Sequence, residues 1–183
     1  MKHVLLDVDG VLANFIGRVC EVASSITGRV HKPEDIKQFN FATELGLTPE
    51  QKREAHAFIE QPGFWRNLDP YPDAIEGVRR LQNLRDVEVV IVTSPWNSCR
   101  TWLYEREGWL KEHFGIHHGD IIPTSRKHMV CGAMLIDDKT ETLHAWRKVW
   151  GNGAVQWQTP HNRLDPWDGH STRSWDRVVE LLR

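Results

Sequence analysis

Two carboxylates lie at the end of the first apolar segment of the chain, in the sequence LLDVDGVLANF that runs from Leu5 to Phe15. Asp7 and Asp9 are separated by one residue, and Gly10 follows at once. Aspartate is a poor strand former, and neighbouring carboxylates repel each other unless something neutralises them. On its own, the pattern fits either a tight turn after a strand or a pair of acids that act together on a ligand.

Further polar side chains follow or precede later apolar segments of the chain. Thr93 and Ser94 follow the second such segment, Asp137 and Asp138 follow the third, and Lys127 comes shortly before the third. Taken singly, each is common in turns or on surfaces. Taken together with the first two acids, they supply the hard oxygen ligands that suit Mg²⁺ and an ammonium and hydroxyls that suit phosphate. The combination is typical of phosphoryl-transfer sites.

Short apolar strands that alternate with helices must bring these residues together. We predict strands at 3–8, 87–92, 133–136 and 154–158, and helices at 14–27, 49–61, 72–84, 98–114, 139–149 and 174–182. Unbroken apolar strands separated by helices indicate an α/β protein with a doubly wound parallel sheet. In such sheets the ligand site lies beyond the carboxyl ends of the strands, where the polar residues above are found.

The stretch between the first two predicted strands is too long for one crossover helix. We therefore predict that residues 16–70 form a small helical cap over the strand ends, and that residues 1–15 and 71–183 form the core. A later segment, 159–173, is rich in turn-forming residues and is predicted to be irregular surface.

Composition narrows the class of protein. The chain has 183 residues with a net charge of -2, so no strongly basic surface indicates binding to a nucleic acid polymer. No apolar run has membrane-spanning length, and the first residues pass straight into a strand rather than a signal peptide. The three cysteines form no C-x-x-C pair, so we expect neither a zinc site nor a disulfide framework. The expected location is the cytoplasm.

The order of the motifs separates two families that use the same chemical groups. Receiver domains of two-component signalling also place aspartates, Thr/Ser and Lys around Mg²⁺, but with Lys last. Here the order is D-x-D, Thr/Ser, Lys and Asp-Asp, which resembles the haloacid dehalogenase superfamily of phosphatases, as does a helical insertion after the first motif. The stretches DVDGVLANF, LDPYPDAIEGV, VVIVTSPWNS, YEREGWLKEHFG, SRKHMVCGAMLIDD and HNR more narrowly resemble the 5′(3′)-deoxyribonucleotidases.

This resemblance implies a role for each polar residue. Asp7 would be the nucleophile that forms an aspartyl-phosphate, and Asp9 the acid and base that serves the leaving oxygen and the attacking water. The phosphate would be held by Thr93, Ser94 and Lys127. Mg²⁺ would be held by Asp7, the main-chain carbonyl of Asp9 and Asp138, with Asp137 behind the metal ligands or as the alternative ligand.

The resemblance also implies a small-molecule substrate, a deoxynucleoside monophosphate, resting between core and cap. The residues expected to contact it are Phe15, Phe39, Asn40, Phe41, Trp96, Asn97 and Arg106. For Arg106 a position on an exposed helix surface stays open. Two other functions also stay open: a capped phosphatase for a sugar phosphate or other small metabolite, and a non-catalytic module that binds phosphate or Mg²⁺. The composition permits a homodimer.

Overall fold

A computed structural model describes residues 1–183 as a six-stranded, wholly parallel sheet with flanking helices. The strand order is β3-β2-β1-β4-β5-β6. The strands are β1 (Lys2–Leu6), β2 (Val87–Thr93), β3 (Ile121–Pro123), β4 (Met134–Asp137), β5 (Ala154–Trp157) and β6 (His170–Thr172). The predicted doubly wound α/β fold is confirmed.

Seven α-helices accompany the sheet. They are α1 (Phe15–Thr27), α2 (Phe41–Glu44), α3 (Pro49–Ile59), α4 (Pro72–Gln82), α5 (Trp102–Phe114), α6 (Thr140–Trp150) and α7 (Trp175–Leu181). The six predicted helices are all present. Helix α5 begins later than predicted because a turn precedes it, in which the Cys99 amide donates to the Trp96 carbonyl at 3.0 Å.

The apolar side chains of β1 contribute to a core on each face of the sheet, because successive side chains of a strand point to opposite faces. Leu5 packs with Leu143 and Trp146 of α6 on one face. Val4 and Leu6 belong to the larger apolar cluster on the other face. Burial on both faces explains why the strands are almost continuously apolar.

The register of the central strands aligns their carboxyl ends. Leu6, the last residue of β1, pairs with Ile91 of β2 and with Ile136 of β4. The next residue, Asp7, donates its amide to the Ile136 carbonyl at 3.0 Å. The residues that follow β1, β2 and β4 therefore emerge side by side at one edge of the sheet.

Two strand predictions were wrong. Strand β1 ends at Leu6 rather than at Val8, because the Val8 carbonyl accepts hydrogen bonds from the amides of Leu12 and Ala13 at 2.7 and 2.8 Å and so closes a turn. The segment 159–173 is not wholly irregular, since it contains β6. That strand pairs with β5, with Trp157 opposite Thr172, and just beyond β5 the Gln158 amide donates to the Thr172 carbonyl at 2.9 Å.

The helical segment between β1 and α4 leaves and rejoins the rest of the chain at one place. Ala13 forms an antiparallel bridge with Pro70. On either side, the Asn14 amide donates to the Asp69 carbonyl at 2.9 Å, and the Tyr71 amide donates to the Leu12 carbonyl at 2.8 Å. No helix of the chain has both the length and the apolar character needed to cross a bilayer.

Candidate active site

Three buried carboxylates and one buried ammonium form the centre of the site. The ligand oxygens of Asp7, Asp137 and Asp138 all lie within 4.8 Å of one another. Lys127 places its Nζ 2.7 Å from Asp7 Oδ1 and 2.7 Å from Asp137 Oδ2. The Lys127 side chain is only 3% exposed, so water contributes little to neutralising this cluster.

Burial dominates the ionisation of these groups. It raises the pKa of Asp7 well above its usual value, with Lys127 opposing the shift, and it raises the pKa of Asp137 with the same opposition. For Lys127, burial alone would lower the pKa, but Asp137 and Asp7 outweigh it and the pKa is raised. The ammonium is therefore held in its charged form between two carboxylates.

The turn after β1 requires glycine at position 10. Gly10 has a φ of +84°, a conformation that costs a residue with a Cβ roughly 1–2 kcal/mol. An added Cβ would also lie 1.9 Å from Oδ2 of Asp138. The backbone at Gly10 thus packs directly against a carboxylate of the cluster.

Asp9 lies beside the cluster and is paired separately. Its two carboxylate oxygens accept hydrogen bonds from Nη2 of Arg106 at 2.7 and 2.9 Å. Burial raises the pKa of Asp9, and the neighbouring guanidinium partly offsets this rise. Its side chain is 25% exposed, so it remains accessible from the cavity that it lines.

Asp138 is held by residues that follow β5. Its Oδ2 lies 2.8 Å from Nε2 of His161, and both side chains are 5% exposed. Its main-chain carbonyl accepts a hydrogen bond from Nδ2 of Asn162 at 2.7 Å. The His161–Asn162 pair therefore fixes the loop after β4 from the neighbouring strand.

The residues of the cluster fit a divalent cation. Asp7, Asp137 and Asp138 supply three carboxylates against one ammonium, that of Lys127, which leaves buried negative charge that a cation would offset. Carboxylate oxygens suit a hard ion such as Mg²⁺. The Asp9 carboxylate is not part of this group, so only its main-chain carbonyl remains as the predicted ligand.

The predicted phosphate-binding residues lie around this cluster. Thr93 is completely buried, and its Oγ1 has no hydrogen-bond partner within the protein. A buried hydroxyl without a partner is unfavourable, so this atom is suited to a ligand oxygen. Ser94 and Lys127 line the cavity itself.

A cavity of about 230 Å³ opens above the acids and is walled by aromatic rings. Phe15 stacks on Trp65 with ring centroids 5.4 Å apart and an interplanar angle of 6°. Trp96 lies 5.6 Å from Trp65, and Phe39 and Phe41 complete the wall. The cavity therefore combines acidic and basic groups with flat apolar rings, and such a lining suits a ligand that has an anionic part and a planar part.

Three predicted substrate contacts do not line the cavity. Asn40 is exposed, and its Oδ1 accepts from the Thr43 amide at 3.4 Å at the start of α2. Asn97 is exposed in the turn after β2. Arg106 is completely buried, which rules out the exposed helix surface that had stayed open, and its contact is with Asp9 rather than with the cavity.

Several residues of the site were not predicted. They are Lys139, Thr142 and His161, which line the cavity. The only sequence signal for His161 was the HNR stretch that carried the family resemblance. Its position in a turn-rich segment concealed that it is buried.

The whole sequence matches one protein family and resembles several known enzymes. Residues 1–183 match the family described as "5' nucleotidase, deoxy (Pyrimidine), cytosolic type C protein". The mitochondrial 5′(3′)-deoxyribonucleotidase of Mus musculus is 31% identical over 99% of this chain and 86% of its own length. The cytosolic-type 5′(3′)-deoxyribonucleotidase of Homo sapiens is 34% identical over 75% of this chain and 70% of its own.

The fold is shared more widely. A haloacid dehalogenase family hydrolase from Deinococcus radiodurans, solved with bound phosphate and sodium, superposes with a TM-score of 0.64 at 15% identity. The similarity covers 100% of this chain and 95% of that one. At this identity the likeness concerns the fold alone.

Proposed function

Because this chain belongs to the deoxy 5′-nucleotidase family of cytosolic type C, within the haloacid dehalogenase superfamily, we propose that it hydrolyses deoxynucleoside monophosphates with Mg²⁺ through an aspartyl-phosphate. Its membership makes it a phosphatase of the 5′-nucleotidase type. One observation supports the proposed substrate, metal and aspartyl-phosphate: a cluster of charged side chains lies at the base of a cavity with an aromatic wall. The cluster consists of Asp7, Lys127, Asp137 and Asp138.

In the first step, a carboxylate oxygen of Asp7 attacks phosphorus while the bond from phosphorus to the ester oxygen breaks. The departing oxygen takes a proton from Asp9, because an alkoxide is a poor leaving group unless it is protonated. Lys127, beside Asp7, and the Thr93 hydroxyl, which has no partner within the protein, would stabilise charge that develops on the phosphoryl oxygens.

In the second step, Asp9 acts as a base. It removes a proton from a water molecule as that water attacks phosphorus, and the bond between phosphorus and the Asp7 oxygen breaks. Inorganic phosphate leaves, and the Asp7 carboxylate and the Asp9 proton are both restored. Covalent catalysis of this kind divides one difficult hydrolysis into two easier steps.

The predicted Mg²⁺ would be held by Asp7, the Asp9 carbonyl and Asp138, and when bound it supplies positive charge between the nucleophile and the phosphate. Both oxygens of Asp137 are already engaged, one by Lys127 Nζ at 2.7 Å and the other by the Lys139 amide at 2.8 Å. Asp138 uses only Oδ2, toward His161. This difference favours Asp138 as the direct ligand and Asp137 behind it.

For the substrate, the proposal assigns the phosphate to the acidic end of the cavity and the nucleoside to the aromatic end. The rings come from residues on both sides of the bridge between Ala13 and Pro70. We accordingly propose 16–70 as the cap, and 1–15 with 71–183 as the core. The relatives include both a cytosolic and a mitochondrial enzyme, so a cytoplasmic location stays a prediction, and a homodimer is not supported by these relationships.

A panel of phosphomonoesters with Mg²⁺ tests the proposal, with phosphate release measured for the wild type and for Asp7→Asn as a matched inactive control. We expect release from dUMP and dTMP in preference to ribonucleotides and sugar phosphates. Release only from sugar phosphates would instead identify a metabolite phosphatase of the same superfamily. No release from any ester would contradict the enzyme assignment and favour a binding module.

A further inference from the structure

Arg106 is a buried cation whose side chain reaches neither solvent nor the cavity. It lies in α5 and is 0% exposed, yet neither adjacent acid pairs with it, because Glu105 accepts from backbone amides and Glu107 lies beside His118. Its partner is Asp9, 97 residues away in the chain, through Nη2 alone. Burying a guanidinium is unfavourable unless its charge is compensated. The Asp9 carboxylate provides this compensation, and the other groups around Arg106 indicate what the buried pair does.

Three tryptophan rings enclose the guanidinium. Its Cζ lies 5.2 Å from the ring centroid of Trp65, 5.7 Å from that of Trp102 and 5.6 Å from that of Trp109. Nε and Nη1 have no hydrogen-bond partner, so the aromatic faces add to the compensation that the Asp9 carboxylate gives the guanidinium charge. With water excluded and three rings in contact, the guanidinium has little freedom to change its orientation.

The adjacent residue fixes one wall of this enclosure. Glu105 accepts hydrogen bonds from the amides of Gly63, Trp65 and Arg66, at 2.9, 3.1 and 3.2 Å. These amides belong to the segment that carries the Trp65 ring, which also stacks on Phe15 in the cavity wall. Two consecutive residues of α5 therefore hold the aromatic wall and the Asp9 carboxylate in a fixed relation.

We propose that Arg106 is a positioning residue for the reaction: it holds the Asp9 carboxylate at the angle from which it serves the leaving oxygen and the attacking water. This inference rests on the proposed function, because it assigns a consequence to Asp9 as acid and base. Arg106 contacts no substrate and acts through Asp9 alone. A rigid enclosure is what such a role requires, since proton transfer depends on placement within hydrogen-bond reach.

The test compares two substrates that differ in their need for an acid. Departure of the deoxyribose oxygen of dUMP needs a proton, whereas 4-nitrophenolate leaves from 4-nitrophenyl phosphate without one. Rapid-quench measurements on the full chain with Mg²⁺ follow formation and decay of the phosphoenzyme for the wild type, Arg106→Met and Arg106→Lys. Arg79→Met, an exposed arginine paired with Glu76, is the matched control.

For Arg106→Met we expect formation of the phosphoenzyme from dUMP to slow by roughly 10–100-fold, a part of the 10²–10⁴-fold that acid–base catalysis supplies. From 4-nitrophenyl phosphate, the burst of nitrophenolate is retained and the phosphoenzyme then decays slowly, because that decay needs Asp9 as the base. Arg106→Lys keeps the buried charge. We expect it to slow phosphoenzyme formation from dUMP, but by less than Arg106→Met does, and to leave formation from 4-nitrophenyl phosphate unaffected. On an Asp9→Asn background, Arg106→Met adds no further loss.

Equal losses in the rate of phosphoenzyme formation from both substrates would overturn the inference, because a residue that only supports the fold slows this step for both alike. If Arg106→Met fails to fold, the test rests on Arg106→Lys. Wild-type rates in that variant, or equal losses in phosphoenzyme formation from both substrates, contradict the positioning role. Failure of the proposed function is distinguishable, since it shows in the wild type as the absence of a phosphoenzyme from either substrate, whereas failure of this inference shows only in the variants.

Discussion

Replacing Gly10 by alanine isolates the contact between the first turn and the acidic cluster. The substitution adds one methyl group at a backbone position with a φ of +84°. That methyl would lie 1.9 Å from Asp138 Oδ2, whereas real Cβ contacts essentially never fall below 3.0 Å. Oδ2 must therefore retreat by at least about 1.1 Å, or the turn must move by a similar amount.

The expected cost has two parts of different kinds. The left-handed backbone conformation costs alanine roughly 1–2 kcal/mol of stability. Displacement of Asp138 by about an ångström acts on catalysis instead, where such a misplacement costs on the order of 10²-fold. It also weakens the hydrogen bond between Asp138 and His161, which measures 2.8 Å in the native chain.

A second glycine separates these two parts. Gly28 follows α1 with a φ of +68°, and a Cβ there would meet nothing within 4 Å. Gly28→Ala should therefore show a similar loss of unfolding free energy in urea titrations but wild-type kcat for dUMP. Gly10→Ala should lose stability together with roughly 10²-fold in kcat and bind Mg²⁺ more weakly by calorimetry.

Two results would refute this reasoning. Wild-type turnover and metal affinity in a folded Gly10→Ala protein would mean that the position of Asp138 is not critical. An equal loss of activity in Gly28→Ala would mean that lower stability, rather than local geometry, causes the defect.

Three further predictions concern the same site. Asp7→Asn should abolish phosphate release while circular dichroism shows a retained fold, and appreciable turnover would exclude a covalent intermediate on this residue. Lys127→Met should lower the unfolding free energy in EDTA by about 3–5 kcal/mol at neutral pH, because it leaves buried carboxylates without a cation. Since burial raises the pKa of Asp7 and Asp137, these carboxyls favour the folded state when protonated and lose that contribution as the pH rises above their usual value of about 4. The stability gap between Lys127→Met and the wild type should therefore narrow toward pH values of about 4 in urea titrations, and a gap independent of pH would argue against this charge balance. Phe39→Ala, which trims a ring of the cavity wall, should raise KM for dUMP with little change in kcat, and an unchanged KM would remove Phe39 from the nucleoside site.

Local patterns predicted the regular elements well because their signals are local. Apolar runs marked the long central strands, and the Thr48–Gln51 capping box marked the start of α3. Strands β3 and β6 were not predicted, since each has only three residues and exists through pairing with a neighbour. The early end of β1 depends on hydrogen bonds to the Val8 carbonyl, which a pattern of apolar residues does not report.

In the candidate site, too, the sequence predicted some features and missed others. Asp7, Asp9, Thr93, Lys127 and the Asp137–Asp138 pair could be named from the sequence because a parallel sheet brings all strand ends to one edge. The side-chain contacts of these acids could not be predicted, since Arg106 was named only as a substrate contact and His161 only as part of the HNR stretch. Arg106 and His161 act on acids 97 and 23 residues away, and nothing in the helical or turn-rich segments that contain them indicates burial.

By itself, the sequence determined the order of the chemical groups and the α/β class, because alternating strands and helices leave one place where those groups can meet. The phosphatase chemistry followed from the family that this order of groups resembles. Only the tertiary structure decided which carboxylate oxygens remain available, why Gly10 must lack a Cβ, and where the guanidinium of Arg106 lies. Those properties depend on distances between side chains from distant segments, and packing sets such distances only after the chain has folded. The LLDVDGVLANF stretch therefore supplies the two acids of the proposed reaction, and the elements packed around it determine how those acids are held.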